Sequence, residues 1–308
     1  MSGRVGRQPE TRFEIGLLVV ALAGLLPACE VVGGYETFQG KSNTVAKPDP
    51  CAQLTLTSPE KGGDMVPMSE GQNCFWIDKT EVKVSDYEKF REASPDPLEW
   101  SANDSLVCGW KGPASDPSHD SGCIEATASE ISPFQESKPI RCVDWCDALA
   151  FCNWAGKRLC ASEVGFSGVT SSESSMLWTS GCTDGNSAYP YGGKNVDPGA
   201  CNIGLDRATC NTLFKGPCGP TYVPSTLPLH CKSPSGAYDM VGNVAEWVSN
   251  CGRTALSEMD QLCTVRGGSY QDTAMVTCTT LGKQRPRGTH APDVGFRCCA
   301  TQDDLTAP

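Results

Sequence analysis

Nineteen cysteines in 308 residues constrain this chain more than any other feature of its sequence. Without Cys29, which the N-terminal leader accounts for, eighteen remain, an even number that suits as many as nine disulfide bonds. C-x-x-C does not occur, and His119, His230 and His290 are scattered, so the spacings typical of zinc ligands are absent. The cysteines therefore predict a domain held together by disulfides in an oxidising compartment, and not a metal cluster.

The composition sets further bounds. With 39% apolar residues the chain can bury one large core, and its length suits one or two domains. Its formal net charge is −11. Because binding to nucleic acid requires a concentrated basic face, nucleic acid is excluded as the expected partner, and the acidity is interpreted as ordinary solubility.

Residues 1–28 are predicted to be a signal peptide. Three arginines precede an apolar run at residues 15–26, which is too short for a comfortable membrane span. The following Leu26-Pro27-Ala28-Cys29 resembles a bacterial lipobox, which implies lipidation of Cys29, attachment to a membrane and a lipoprotein of the bacterial cell envelope. The alternative is ordinary secretory cleavage nearby, with Cys29 incidental and the protein secreted or periplasmic.

The rest of the chain divides by composition. Residues 29–60 lack a sustained apolar period and are predicted to be a flexible tether. Cys51 could attach the far end of this tether to the domain. Residues 61–301 are predicted to form the domain, and residues 302–308 a disordered tail.

Local patterns predict a few regular elements. The alternation of Phe75 and Ile77 favours a strand. Asp144 can cap a helix that presents Ala148, Cys152 and Ala155 on one stripe and ends near Gly156. Cys142 and Cys146 are four residues apart and are expected on one helical face, either bridging to loops or ligating a soft metal.

Four segments together resemble the formylglycine-generating-enzyme domain, also called the sulfatase-modifying-factor domain. They are YDMVGNVAEW at 238–247, RGGSY at 266–270, GFRC at 295–298 and the helical segment at 139–159, where Asp144 replaces the usual Ser. The resemblance covers about residues 62–301. It implies an α+β fold that is C-type-lectin-like, poor in regular secondary structure and rich in disulfides.

The resemblance also implies two disulfides. Family members with structural bridges pair the cysteines found here as Cys152 and Cys298, and those found here as Cys182 and Cys278. The partners of the remaining cysteines stay open.

The resemblance also implies a calcium site. In calcium-binding members a turn like that at 238–247 supplies the ligands, which here are Asp239, Gly242, Val244 and Glu246. Carboxylates and carbonyls on an irregular turn suit this hard ion. The alternative is that Asp239 and Glu246 only accept backbone hydrogen bonds. A second calcium site would begin with Asn202 and Ile203 as its first two ligands, although the later Asp-x-Phe is not recognisable.

The copper ligands that the family's best-known reaction requires are missing from this sequence. Formylglycine generation uses two cysteines that bind copper after the GGS segment, and their positions are Asp272 and Thr277 in this chain. Copper is therefore not expected. Iron is not expected either, because the iron-binding histidine cluster of the ergothioneine-synthase relatives is missing from the sequence. Asp78 and Glu81 could serve as an acid and base pair, but carboxylates that fix a strand-to-helix junction are the more common role. Walker A and G-x-G-x-x-G motifs are absent from the sequence.

Two classes of function remain. The first is a lipid-anchored binding or structural module that recognises a glycan, peptide or protein ligand. The alternative is a periplasmic oxidoreductase, or an enzyme of the same family that modifies a protein or metabolite. The first is favoured because function follows from the site and not from the fold. The oligomeric state and the choice between inner and outer membrane stay open.

Overall fold

The computed structural model of the protein places its described residues within Pro48–Pro308. The structure describes residues 51, 61–70, 73–93, 105–111, 136–161, 177–195, 197, 200–203, 231–252, 257–272, 276–302 and 304.

The described chain contains four helices in its first half and short strands throughout. The helices are α1 (Val84–Ala93), α2 (Ser105–Cys108), α3 (Trp145–Trp154) and α4 (Leu177–Cys182). The strands are β1 (Met65–Glu70), β2 (Asn73–Asp78), β3 (Arg158–Leu159), β4 (Ala245–Cys251), β5 (Leu262–Arg266), β6 (Lys283–Pro286), β7 (Val294–Phe296) and β8 (Cys298–Thr301). This α+β organisation, with limited regular structure and many disulfides, is the predicted fold class.

The first sheet has the order β1-β2-β8-β3, and its three pairings are antiparallel. The predicted strand around Phe75 and Ile77 is its strand β2. Both side chains pack into one apolar cluster, whereas Trp76 between them packs into another. This strand is covered on both faces, because successive side chains point to opposite sides of a sheet.

The second sheet has the order β6-β5-β4-β7, in which β4 and β7 are parallel and the other pairs antiparallel. Glu246 pairs with Arg266 on one side and with Gly295 on the other. A Cβ at Gly295 would lie 2.3 Å from the carbonyl oxygen of Ile140, so only glycine fits there. The GFRC segment thus passes directly beside the turn that precedes β4.

Helix α3 begins and ends as the sequence predicts. Asp144 is its N-cap and forms a capping box with Asp147, and Gly156 follows the C-cap with a φ of +69°. The expectation that Cys142 and Cys146 share a helical face is wrong. The helix starts after Cys142, which has a φ of +61° and lies outside the helical turn.

Seven described disulfides tie these elements together. They include Cys152–Cys298 and Cys182–Cys278, the two pairs that the resemblance implies. Each closes a loop of roughly a hundred residues or more, for which the chain-entropy estimate is about 4–5 kcal/mol. The other bridges are Cys51–Cys74, Cys108–Cys146, Cys160–Cys299, Cys201–Cys231 and Cys251–Cys263.

The ordered domain extends past the predicted boundary at residue 301. Both carboxylate oxygens of Asp304 accept hydrogen bonds from Arg158, and Oδ2 also accepts one from the Thr301 amide at 2.7 Å. The start of the predicted tail is therefore packed, and residues 305–308 lie outside the described part. At the other end, Cys51 is bonded to Cys74.

The predicted signal peptide, Cys29 and the rest of the predicted tether lie outside the described residues. Within the described residues, no helix has the length and apolar character needed to span a bilayer.

Candidate functional site

The turn before β4 is held in an unusual backbone conformation. Asp239 and Asn243 have φ values of +57° and +58°, and Gly242 has a φ of +84°. A Cβ at Gly242 would lie 2.5 Å from the carbonyl oxygen of Asn202. The Gly242 amide donates to the carbonyl of Gly267 at 2.9 Å, and the Asn243 amide donates to that of Asn202 at 2.8 Å. The glycine therefore allows two loops to meet at this turn.

Glu246, at the start of β4, is fully buried and bonded at both carboxylate oxygens. Its Oε1 accepts from Arg297 Nε at 2.8 Å, and its Oε2 accepts from Trp178 Nε1 at 2.6 Å. Arg297 is also fully buried and donates to the carbonyls of Asp78 and Tyr238. Although burial alone would lower the pKa of Arg297, the Glu246 carboxylate raises it.

Two more carboxylates face this ion pair. Glu81 Oε1 accepts from Asn243 Nδ2 at 2.8 Å. Among the described residues, Glu81 Oε2 and Asp239 Oδ2 are buried oxygens without a hydrogen-bond partner. Burial raises the pKa of Glu81 to about 7, against the opposing effect of Arg297. Burial and the charge of Glu81 raise the pKa of Asp239 well above its usual value.

We name Glu81, Asp239, Glu246 and Arg297 the acid cluster. It contains three carboxylic acids and one guanidinium in a region that excludes water, so its ionised form has an excess of negative charge. Unpaired buried carboxylate oxygens are costly unless they are protonated or bound to a cation. Because oxygen donors are the ligands that calcium prefers, the residues of the acid cluster fit such an ion.

The predicted calcium ligands differ in how freely their oxygens could bind an ion. Asp239, Gly242, Val244 and Glu246 lie in one buried segment, and Asp239 supplies an oxygen without a partner. Glu246 is already bonded by its two donors. At the predicted second site, the carbonyl of Asn202 accepts a hydrogen bond from the 238–247 turn. The second site stays a prediction.

Sequence reasoning missed Glu81 as a site residue. Its local motif suggested a strand-to-helix junction, whereas the contact with Asn243 spans 162 residues of sequence. Asp78, at the end of β2, also bonds to distant segments. Its Oδ1 is 2.5 Å from Lys157 Nζ, and its Oδ2 accepts from the Cys298 amide at 2.8 Å.

A carboxylate and a hydroxyl occupy the positions of the copper cysteines. Asp272 Oδ1 forms an ion pair with Lys283, and Oδ2 accepts from the Ser269 amide at 2.8 Å. Burial alone would raise the pKa of Asp272, but Lys283 and Ser269 lower it overall. Thr277 Oγ1 hydrogen-bonds the Thr280 hydroxyl at 2.9 Å. These groups offer no soft ligand to copper(I).

The described cysteines are all disulfide-bonded, including Cys142 and Cys146. Thiolate ligands and thiol nucleophiles are therefore not present in the part of the chain that the structure describes. The soft-metal alternative for Cys142 and Cys146 does not fit this arrangement.

The fold and the site define a class of protein: a disulfide-rich domain that has the formylglycine-generating-enzyme fold but lacks that enzyme's thiol pair. The family model of the sulfatase-modifying factor enzyme 1-like domain matches residues 66–302. The chain belongs to this family.

The relatives include proteins named as formylglycine-generating enzymes and proteins named as inactive forms. The chain is 29% identical over 172 residues to the inactive C-alpha-formylglycine-generating enzyme 2 of Bos taurus, covering 53% of this chain and 50% of that protein. It is 27% identical over 186 residues to the formylglycine-generating enzyme of Mus musculus, covering 54% and 45%. The chain thus spans about half the length of the curated relatives it matches.

The solved structure of PvdO from Pseudomonas aeruginosa is also similar, with 16% identity and a TM-score of 0.48. The match covers 78% of this chain and 92% of that one. The family assignment and the relatives named inactive are consistent with a domain that is not an oxidase.

Proposed function

We propose that this chain is an exported binding or structural module of the bacterial cell envelope, anchored to a membrane by a lipid on Cys29. It uses the family fold to present a surface to a glycan, peptide or protein and does not generate formylglycine. The observation that carries this proposal is the replacement of the copper cysteines by Asp272 and Thr277. Asp272 is engaged by Lys283 and Ser269, so the position is built as a structural ion pair.

The disulfides support export. The described cysteines are all bonded, which fits an extracellular or envelope location, because cytosolic reductants keep thiols reduced. Lipid anchoring rests on the lipobox-like sequence before Cys29.

The proposal includes a calcium ion at the acid cluster. Its ligands would be drawn from Asp239, the carbonyls of Gly242 and Val244, and Glu246, with Glu81 as a further acid. When bound, the ion supplies the positive charge that the acid cluster lacks. It would thereby stabilise the turn that precedes β4 and hydrogen-bonds to the RGGSY segment.

Copper binding and oxygen consumption test the absence of oxidase chemistry. The mature chain, purified with its disulfides intact, is titrated with copper(I) against a chromogenic chelator, and oxygen uptake is followed with a thiol reductant. We expect no tight copper binding and no uptake above that of the reductant alone. The Asp272→Cys and Thr277→Cys double variant is the matched control. One equivalent of tightly bound copper in the unmodified chain would overturn the proposal.

Membrane partition tests the anchor separately. Cys29→Ser is expressed in a bacterial host beside the unmodified chain, and membrane and soluble fractions are compared. We expect the variant to leave the membrane fraction. Unchanged partition would show that Cys29 carries no anchor.

A further inference from the structure

Four ionisable side chains from three separate segments meet at the N-terminus of helix α3. Asp144 is the N-cap and Asp147 lies in the first turn, and both side chains are fully buried. Lys111 comes from the segment after α2, and its side chain is only 6% exposed. His290 comes from the loop before β7, and its side chain is 30% exposed.

The helix cap uses only part of these carboxylates. Asp144 Oδ1 accepts from the Asp147 amide at 2.8 Å, and Asp147 Oδ2 accepts from the Asp144 amide at 3.1 Å. Asp144 Oδ2 takes no part in the capping box. It lies 2.5 Å from Lys111 Nζ and 3.4 Å from His290 Nε2.

The same position already holds a cation. Lys111 Nζ lies between the two carboxylates, 2.5 Å from Asp144 Oδ2 and 3.1 Å from Asp147 Oδ2. His290 Nε2 is 4.0 Å from Asp147 Oδ2, and the three ligand atoms of the aspartates and the histidine all lie within 4.8 Å of one another. An ion with bonds of about 2.0–2.2 Å holds its ligand atoms roughly 3–3.5 Å apart, so small side-chain adjustments would close the set.

We propose that Asp144, Asp147 and His290 form a binding site for a divalent transition metal such as zinc, with Lys111 as the competing internal cation. One imidazole and two carboxylates are a suitable set for zinc. The two negative charges balance the ion once the Lys111 ammonium has moved out. Three protein ligands leave a coordination position for water or for a group on a partner.

Two features of this chain support the assignment. Ser caps a helix about as well as Asp, but only Asp offers an anionic metal ligand. The aspartate therefore adds a ligand that capping does not require. In addition, while Lys111 Nζ bridges the two aspartates it lies 5.9 Å from the centroid of the exposed Trp110 ring, so the competing ammonium is placed beside an exposed side chain.

Zinc titration of point variants tests the site. The tag-free mature chain, with disulfides intact, is treated with chelator, returned to a buffer containing calcium, and titrated with zinc by calorimetry. We expect one equivalent of bound zinc. We expect Lys111→Met to tighten binding by about tenfold or more, because it removes the competitor. Asp144→Ser and His290→Gln should weaken binding by about tenfold to a hundredfold each.

Cobalt(II) gives a second readout. It should produce visible absorption bands of low-symmetry coordination in the unmodified chain and in Lys111→Met, but not in Asp144→Ser. Asp144→Ser keeps a helix cap, and its fold is checked by circular dichroism. If that variant does not fold, the exposed His290→Gln carries the test. The proposal is overturned if zinc fails to bind Lys111→Met, or if both ligand variants bind zinc as tightly as the unmodified chain.

Discussion

Arg297 donates from Nε to Glu246 Oε1 at 2.8 Å, with both side chains shielded from solvent. The guanidinium is the only positive charge in the acid cluster, where it faces three carboxylic acids. Removing one partner of a buried ion pair leaves an uncompensated charge, which typically costs about 3–5 kcal/mol.

We therefore expect Arg297→Met to lower the free energy of unfolding by about 3–5 kcal/mol, measured by urea denaturation with disulfides intact. Arg158→Met is the matched control. Arg158 also pairs with an aspartate, but its side chain is 42% exposed, so the expected loss is about 1 kcal/mol or less. Equal losses in the two variants would contradict the importance of burial at Arg297.

Gly242 is expected to tolerate no side chain. A Cβ would lie 2.5 Å from a backbone carbonyl, in addition to the cost of a φ of +84°. We expect Gly242→Ala to destabilise the fold by more than about 2 kcal/mol in urea denaturation. Gly185→Ala separates the two costs, because Gly185 has a φ of +83° but no atom within 4 Å of the added Cβ. That control should lose only about 1 kcal/mol. A similar loss in both would show that Asn202 can move away.

The sequence predicts the fold wherever a motif determines backbone geometry. The strand around Phe75, the cap at Asp144 and the glycine after helix α3 follow from local patterns, since alternation and capping act within a few residues. Most disulfide pairings do not follow in this way. Cys160 and Cys299 are 139 residues apart, and only the folded chain brings them together.

The same limit applies to the candidate site. The turn containing Asp239 and Gly242 carries a specific motif and could be predicted. Glu81 could not, because its partner Asn243 lies 162 residues away in the sequence and only the folded chain brings the two together. His290 appears isolated in the sequence and becomes meaningful only beside Asp144.

The contact between Asp304 and Arg158 should stabilise the domain in a pH-dependent manner. Burial alone would raise the pKa of Asp304, but hydrogen bonds from Arg158 and Thr301 lower it below the ordinary value of 3.8. A carboxylate with a lowered pKa stabilises the fold fully above its unfolded-state pKa, and this contribution is lost as the pH falls through the folded-state pKa. Asp304→Asn should thus cost about 1 kcal/mol at pH 7 and progressively less below pH 3.8. Urea denaturation of both chains across this range measures it, and a loss that does not change with pH would contradict the ionic contribution.

The Glu81 carboxylate should stabilise the acid cluster when calcium is bound and destabilise it when calcium is absent. We expect a chelator to lower the melting temperature of the unmodified chain, since an ion at a hundred times its dissociation constant stabilises the native state by about 2.7 kcal/mol. In chelator, Glu81→Gln should be neutral or stabilising, because the amide oxygen can still accept from Asn243 while one buried carboxylate is removed. The stability that Glu81→Gln gains when calcium is added should be smaller than the gain of the unmodified chain.

Differential scanning calorimetry with and without calcium measures both effects. Asp272→Asn, which lies outside the acid cluster, is the control that should keep the full calcium response. A full response in Glu81→Gln would remove Glu81 from the calcium site, and no response in the unmodified chain would remove calcium from the acid cluster.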